Sequence, residues 1–219
     1  MRNITVRREE PRDYRVVEEI TRDAFWNLHS PGCDEHLIVH CLRKHSDFIP
    51  ELTFVIELEG NIAGGIFYSH SKVVDKNKAE HKTLTFGPVS IAPHLHRQGL
   101  GRILISHSIA EAKKLGHRAI IIGGYPYHYQ TYGFTGAKKY GISATDGNYY
   151  VGILALPLFE GALDNVSGCI HFTEAMETDE RELEQFDKGF PQKEKLVKDS
   201  QAEFEKVSAK IDTKDYGEI

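Results

Sequence analysis

Residues Thr83–Leu115, TLTFGPVSIAPHLHRQGLGRILISHSIAEAKKL, restrict what this chain can fold into more than any other stretch. Their periodicity predicts a buried strand through Ile91, a Pro-bounded loop over Ala92–Gln98, and a helix that opens at Gly99 and closes before Gly116. A strand, a glycine-containing turn and a helix N-terminus together make an anion site. The first N–H groups of a helix point out of its end and carry partial positive charge. Gly99 and Gly101 let phosphate oxygens reach the backbone, while Arg97 and Arg102 can add charge-assisted hydrogen bonds. A P-loop is excluded because no Gly-Lys-Ser/Thr follows the glycines. A dinucleotide fingerprint is excluded because Leu104 stands where its third glycine belongs.

The next apolar run, Ala119–Ile122, has strand length and is joined to its predecessor through a helix, which implies a parallel neighbour. It leads into GGYPYHYQTYGF, Gly123–Phe134, where Gly and Pro break the strand and a short helix carries Tyr127–Tyr132. Aromatics at this density mostly fill cores, and Tyr132 and Phe134 are read that way.

These two clusters resemble the GNAT superfamily of acyl-CoA-dependent N-acetyltransferases. The resemblance makes His96, Arg97, Gln98, Gly99, Leu100 and Gly101, with Arg102 following, the loop that holds the pyrophosphate of coenzyme A. It makes Tyr129, four residues before Gly133-Phe134, the acid that protonates the leaving thiolate. It also implies that the strand carrying Val89, Ser90 and Ile91 bulges and offers its backbone to the pantetheine arm, with N–H groups near Val89 polarising the thioester oxygen. Gly87-Pro88 suits a bulge or an edge there, since proline cannot donate to a ladder. The pattern departs from the family at His96, where Gln or Arg is usual, and at Ile122 and Tyr125, where Asn and Ala are usual. The backbone grip on the cofactor survives these changes, because it rests on glycines and strand geometry.

Elsewhere the chain reads as ordinary globular sequence. At 219 residues, with 40% apolar and 27% charged residues, it can build one well-cored domain with an appendage. No apolar run reaches membrane-spanning length, and MRNITVRREEPRD has no hydrophobic signal core, so a cytoplasmic location is expected. Cys33, Cys41 and Cys169 lack paired metal spacing and are read as reduced thiols; no metal site is expected. Ile4 and Val6 mark a first strand. Asp13 is placed to cap a helix over Tyr14–Phe25, and Asp34 a second over Glu35–Lys44. His36 and His40 on that helix are read as surface histidines, and in the superfamily the first two helices line the acceptor cleft. Leu52–Leu58 and Ile62–Val74 read as an antiparallel hairpin turning at Glu59-Gly60-Asn61. Lys138–Ala144 and Tyr149–Leu156 read as another.

The resemblance covers residues 1–158. From Met176 onward thirteen Asp and Glu face eight Lys and Arg, so this tail carries the whole net charge of −5. Leu183 and Phe186, then Val197, Phe204, Val207 and Ile211, give apolar stripes at helical spacing. The expected architecture is therefore a mixed α/β domain of GNAT type over 1–158, with a twisted, mostly antiparallel sheet flanked by helices. Residues 159–219 form an extension, a strand plus amphipathic helices packed on the domain, closing the cleft, or binding a partner. The expected activity is acetyl transfer from acetyl-CoA to a primary amine of a small molecule or peptide by direct attack in a ternary complex. The rival readings are a non-catalytic acyl-CoA-binding or sensing module and an interaction protein. The acidic balance and the lack of a basic stripe disfavour nucleic acid. Glu57, His70 and His81 lie near the strands where a general base would act, and nothing in the sequence selects among them.

Overall fold

The structure, a computed structural model, describes residues 2–216. In chain order the elements are β1 (Ile4–Arg8), α1 (Tyr14–Phe25), α2 (Glu35–Leu42), β2 (Phe54–Leu58), β3 (Asn61–Val74), β4 (Glu80–Ile91), α3 (Leu100–Lys114) and β5 (Ala119–Gly123). They continue with α4 (Pro126–Tyr129), β6 (Thr135–Gly136), β7 (Ile142–Ser143), β8 (Ile153–Pro157), β9 (Gly168–His171), α5 (Glu180–Asp187) and α6 (Asp199–Ser208). The fold is mixed α/β with a mostly antiparallel sheet flanked by helices. Its main hydrogen-bonded path runs β1-β2-β3-β4-β5-β8-β6, and β9 joins β3 to β7.

The chain divides into two compact units, and β3, β4 and α3 each run through both. The first contains residues 1–68, 87–110 and 174–202. There β1 pairs antiparallel with β2, and β2 with β3, across a two-residue turn in which Glu59 (φ 51°) and Gly60 (φ 79°) are both left-handed. That pair of positive φ values matches the right-handed twist of the flanking strands. Helices α1 and α2 pack Val17, Val39 and Leu42 against Val55 and Phe67 of the sheet.

Asp13 does not cap α1. Its carboxylate is taken by the Arg7 guanidinium and by the Glu10 N–H, and Arg7 holds it below the ordinary range. Asp34 supplies no side-chain cap to α2 either, and accepts instead from the Thr178 hydroxyl at 2.7 Å. A local capping pattern lost in both places to a partner from another element.

His36, read from its spacing as a surface residue, is fully buried. Its Nε2 lies 3.0 Å from Asp187 Oδ1, and its Nδ1 lies 3.6 Å from the Cys33 sulfur. Asp187 comes from the end of α5 and also receives the buried Arg22 side chain, Nε to Oδ1 at 2.7 Å and Nη2 to Oδ2 at 3.3 Å. Burial alone would raise this carboxyl, but Arg22 and His36 outweigh it and hold it below its usual value. Beyond α5 the irregular segment 189–198 is tied mainly through its backbone: Arg22 donates to Pro191 O, and Trp26 and Asn27 to Glu194 O. Asn27 Oδ1 accepts from both Gly32 N and Leu196 N. Val197, expected on a helical stripe, lies before α6 begins and is 86% exposed.

The second unit contains residues 69–86, 111–173 and 203–219. Its core joins Val73, Ala119, Ile121, Ala155, Leu163, Val166 and Ile170. β4 and β5 run parallel, with Leu84 opposite Ile120, as the intervening helix requires. The hairpin expected from Lys138–Leu156 does not form. Ala137–Tyr140 closes a 3₁₀ turn, β7 pairs with β9, and β8 pairs with β5 and β6. Residues 149–151 bond instead to the chain beyond α6, through Val151 N to Lys210 O and Asp212 N to Tyr149 O. Ile211, counted on the last helical stripe, sits past α6 in a bridge to Tyr150.

Burial lowers the pKa of His36, so the imidazole stays neutral in the fold. The unfolded chain takes up a proton near pH 6.5. Stability from this group is therefore complete above about pH 6.5 and declines as pH falls below it, by at most about 1.4 kcal/mol per pH unit. Urea unfolding at pH 7.5 and 5.5 should show that decline in the wild type. His36→Gln, which keeps an N–H for Asp187 but cannot titrate, should flatten it.

Candidate active site

In the first unit β4 runs through a turn into α3. Arg97 (φ 59°) and Gly99 (φ 84°) are both left-handed, and the chain enters the helix directly after them. The first bond reaching back out of α3 is Ile103 N to Gly99 O at 3.1 Å. The N–H groups of Leu100, Gly101 and Arg102 consequently have no intrahelical acceptor. Nothing lies within 4 Å of where a Cβ on Gly99 would stand, and on Gly101 such an atom would meet only Ile91 Cγ1 at 3.7 Å. The space where a side chain would stand on either glycine is thus largely open.

The remaining expected loop residues divide by what their side chains already do. His96 Nε2 lies 2.7 Å from Ile91 O and donates to it, fixing the loop against the strand. Gln98 accepts from Arg2 and donates to His94 O. Leu100 is buried, with 2% exposure, and anchors the helix. Arg97 and Arg102 are exposed, and no side-chain partner holds either among the described residues. On β4, Val89 and Ile91 are half-buried, while Ser90 is buried with its Oγ 2.9 Å from Thr21 Oγ1. Ser90 thus has only its backbone to offer a ligand.

The second unit carries Tyr129. Tyr129 ends the one-turn helix α4, and its ring packs down onto Gly124: a Cβ on Gly124 would come 2.6 Å from Tyr129 Cε2. Only glycine permits that approach. The ring is bounded by Phe134 at 5.7 Å and Phe86 at 5.8 Å between centroids. Among the described residues no group hydrogen-bonds the Tyr129 hydroxyl, and burial pushes its pKa up to about 12. The phenol therefore stays protonated across the working range of most enzymes. The sequence singled out Tyr129 only through its family resemblance; Phe86 and Gly124, which pack against its ring, carried no signal of their own.

Of the three base candidates, two face charged partners and His70 is exposed on β3. Glu57 is bound to Arg7 at 2.7 Å, and His81 lies 3.6 Å from Asp75. The His70 ring is 6.5 Å from that of His117.

The chain thus carries a turn with open glycines at the head of α3 and, on another segment, a tyrosine ahead of Gly133-Phe134. The sequence profile of the acetyltransferase (GNAT) family matches residues 15–135, and the chain belongs to that family. The GNAT family N-acetyltransferase YhbS of Escherichia coli, solved with CoA, is 20% identical with a TM-score of 0.70, covering 80% of this chain and 92% of that one. A Brucella melitensis GNAT acetyltransferase, solved with acetyl-CoA, is 23% identical with a TM-score of 0.64, covering 80% and 99%. The ribosomal-protein-S18-alanine N-acetyltransferase of E. coli is 21% identical with a TM-score of 0.50, covering 80% and 100%. At these identities the likeness is one of fold. No curated protein matches the chain in sequence.

The two glycines of the turn differ in what substitution costs. Gly101 has helical φ and room for a methyl group, so Gly101→Ala should leave stability unchanged or raise it by up to about 1 kcal/mol. Gly99→Ala forces an L-residue into the left-handed region and should lower it by about 1–2 kcal/mol. Urea denaturation of the two variants separates these outcomes.

Proposed function

We propose that this chain transfers an acetyl group from acetyl-CoA to a primary amine by direct attack within a ternary complex. The observation that carries the reading is Tyr129, a phenol seated on Gly124 with no hydrogen-bond partner among the described residues, in a member of the acetyltransferase family. The CoA and acetyl-CoA bound by the E. coli and B. melitensis proteins support the choice of donor. The N–H groups of Gly99, Leu100, Gly101 and Arg102 would hold the pyrophosphate, with Arg97 and Arg102 adding charge. His96 and Gln98 would keep the turn in shape, and the backbone of Val89, Ser90 and Ile91 would line the pantetheine arm. Residues 1–158 form the catalytic part and 159–219 the extension. Among the described residues no helix is long and apolar enough to cross a membrane, in keeping with a cytoplasmic enzyme acting on a small-molecule or peptide amine.

Acetyl-CoA supplies the thioester, whose C–S bond breaks as the C–N bond to the amine forms. An acceptor amine with a pKa of about 10.4 must first lose a proton to a base or to water. Tyr129 acts on the sulfur. Complete proton transfer from a phenol of pKa about 12 to a thiolate of ordinary pKa, about 8.5, is uphill by about 5 kcal/mol. Its role during bond breaking is therefore to donate a hydrogen bond to the developing thiolate, with transfer completing as the product leaves.

Tyr129→Phe keeps the ring on Gly124 and removes the donor. It should lower the rate of the chemical step by about 10²–10⁴-fold with near-normal acetyl-CoA affinity, read by pre-steady-state thiol release and calorimetry. A chemical step at wild-type speed would remove Tyr129 from the mechanism. In the folded Gly101→Glu variant, acetyl-CoA binding should fall sharply; unchanged affinity would displace the pyrophosphate from this turn.

A further inference from the structure

The short helix that ends in Tyr129 begins with a cluster of aromatic rings that the proposed chemistry leaves unused. Tyr125 and Tyr127 have ring centroids 5.3 Å apart, and His128 lies 4.5 Å from Tyr127 and 5.8 Å from Tyr125. Phe204 of α6 closes one side, edge-on to Tyr125 at 6.1 Å. Burying these rings cannot be the whole purpose of the contact. Tyr127 is 56% exposed and is the most exposed aromatic side chain among the described residues.

The electrostatics of the cluster have one sign. Glu203, immediately before Phe204 on α6, sits close enough to act on both phenols and is exposed, with no ion pair among the described residues. Glu205 is exposed on the same helix. Elsewhere the chain fills its own aromatic faces with cations: Arg15 lies over Phe190 at 3.8 Å, Arg43 over Tyr14 at 4.1 Å and Arg22 over Trp26 at 4.2 Å. No cation of the chain lies over Tyr127 among the described residues. Electron-rich faces beside an unpaired carboxylate attract an ammonium group, and the attraction grows as the cation sheds water.

Resting on the acetyltransferase reading, we propose that Tyr127, Tyr125 and Glu203 bind a second ammonium group of the acceptor, which makes the substrate class a linear aliphatic di- or triamine. The placement follows from chain connectivity. Tyr127 is two residues from Tyr129 on one short helix, so the two side chains leave different sides of it, and only an amine long enough to reach from the rings to the acid can use both. A neutral substrate or an anionic one gains nothing from this surface, and a monoamine uses only the reacting end.

The experiment compares spermidine with butylamine, by equilibrium binding to the full-length protein saturated with CoA and by kcat/KM with acetyl-CoA. Tyr127→Ala and Glu203→Gln should each weaken spermidine binding about 3–30-fold relative to butylamine, and shift the ratio of the two kcat/KM values by the same factor. Tyr127→Phe, which retains a π face, should stay within about 3-fold of wild type. An unchanged spermidine-to-butylamine ratio in Tyr127→Ala and Glu203→Gln overturns the proposal, as does an equal loss for both amines. A lower melting temperature of Tyr127→Ala with the ratio unmoved would make the cluster a seat for α6 and overturn it too. Spermidine binding that depends on Tyr127 without acetylation of any amine would refute the enzymatic reading and leave the cation site standing.

Discussion

Strand β3 is under a constraint that the rest of the molecule inherits: it must be apolar on both faces over most of its length. Ala63 through Ser69 are all buried, and the same strand delivers Phe67 to one hydrophobic core and Val73 to the other. A strand buried on both sides cannot show the apolar–polar alternation of a half-exposed one. It must also be flanked by ladders that satisfy its N–H and C=O groups, which β2, β4 and β9 do. The fold is in that sense built outward from a strand whose middle water does not reach.

Burial also decides the chemistry of the tyrosine. The pocket that fixes the Tyr129 ring between Phe86, Phe134 and Gly124 takes the phenol away from water and so makes it a weaker acid. Placement and acidity pull in opposite directions. In the proposed reaction, a phenol that stays protonated at rest suits a partner whose charge appears only as the bond breaks.

Much of this architecture was legible in the sequence where the determining forces are local. Helix α1 begins and ends at Tyr14 and Phe25 as its apolar spacing indicates, the Glu59-Gly60 turn carries its own φ requirement, and Ala119–Ile122 is a strand by composition alone. The turn before α3 was legible for the same reason, since Gly99 and Gly101 act through their own backbones. The misreadings have one physical origin. His36, Asp13, Asp34 and residues 138–144 each meet a partner that their neighbours in sequence do not reveal: Asp187, Arg7, Thr178 and β9 respectively. A histidine 151 positions from its carboxylate has no periodic signature. His96 and Gln98 donate hydrogen bonds to Ile91 O and His94 O, which their spacing in sequence does not reveal.

The attachment of segment 189–198 has an evolutionary corollary. Arg22, Trp26 and Asn27 seize its carbonyls, and Asn27 additionally accepts the Leu196 N–H while holding Gly32 with the same oxygen. Asn27 stands at φ 60°, a conformation in which asparagine is among the few comfortable side chains. Apart from the buried Phe190 under Arg15 and Lys193 paired with Asp23, the recognition is thus written on the receiving side. Gln192, Lys195 and Val197 can drift through substitution while the segment keeps its course, whereas Asn27 cannot drift even to aspartate, which lacks the amide donor. Substitution is therefore costlier at Asn27 than at the positions whose backbone it holds.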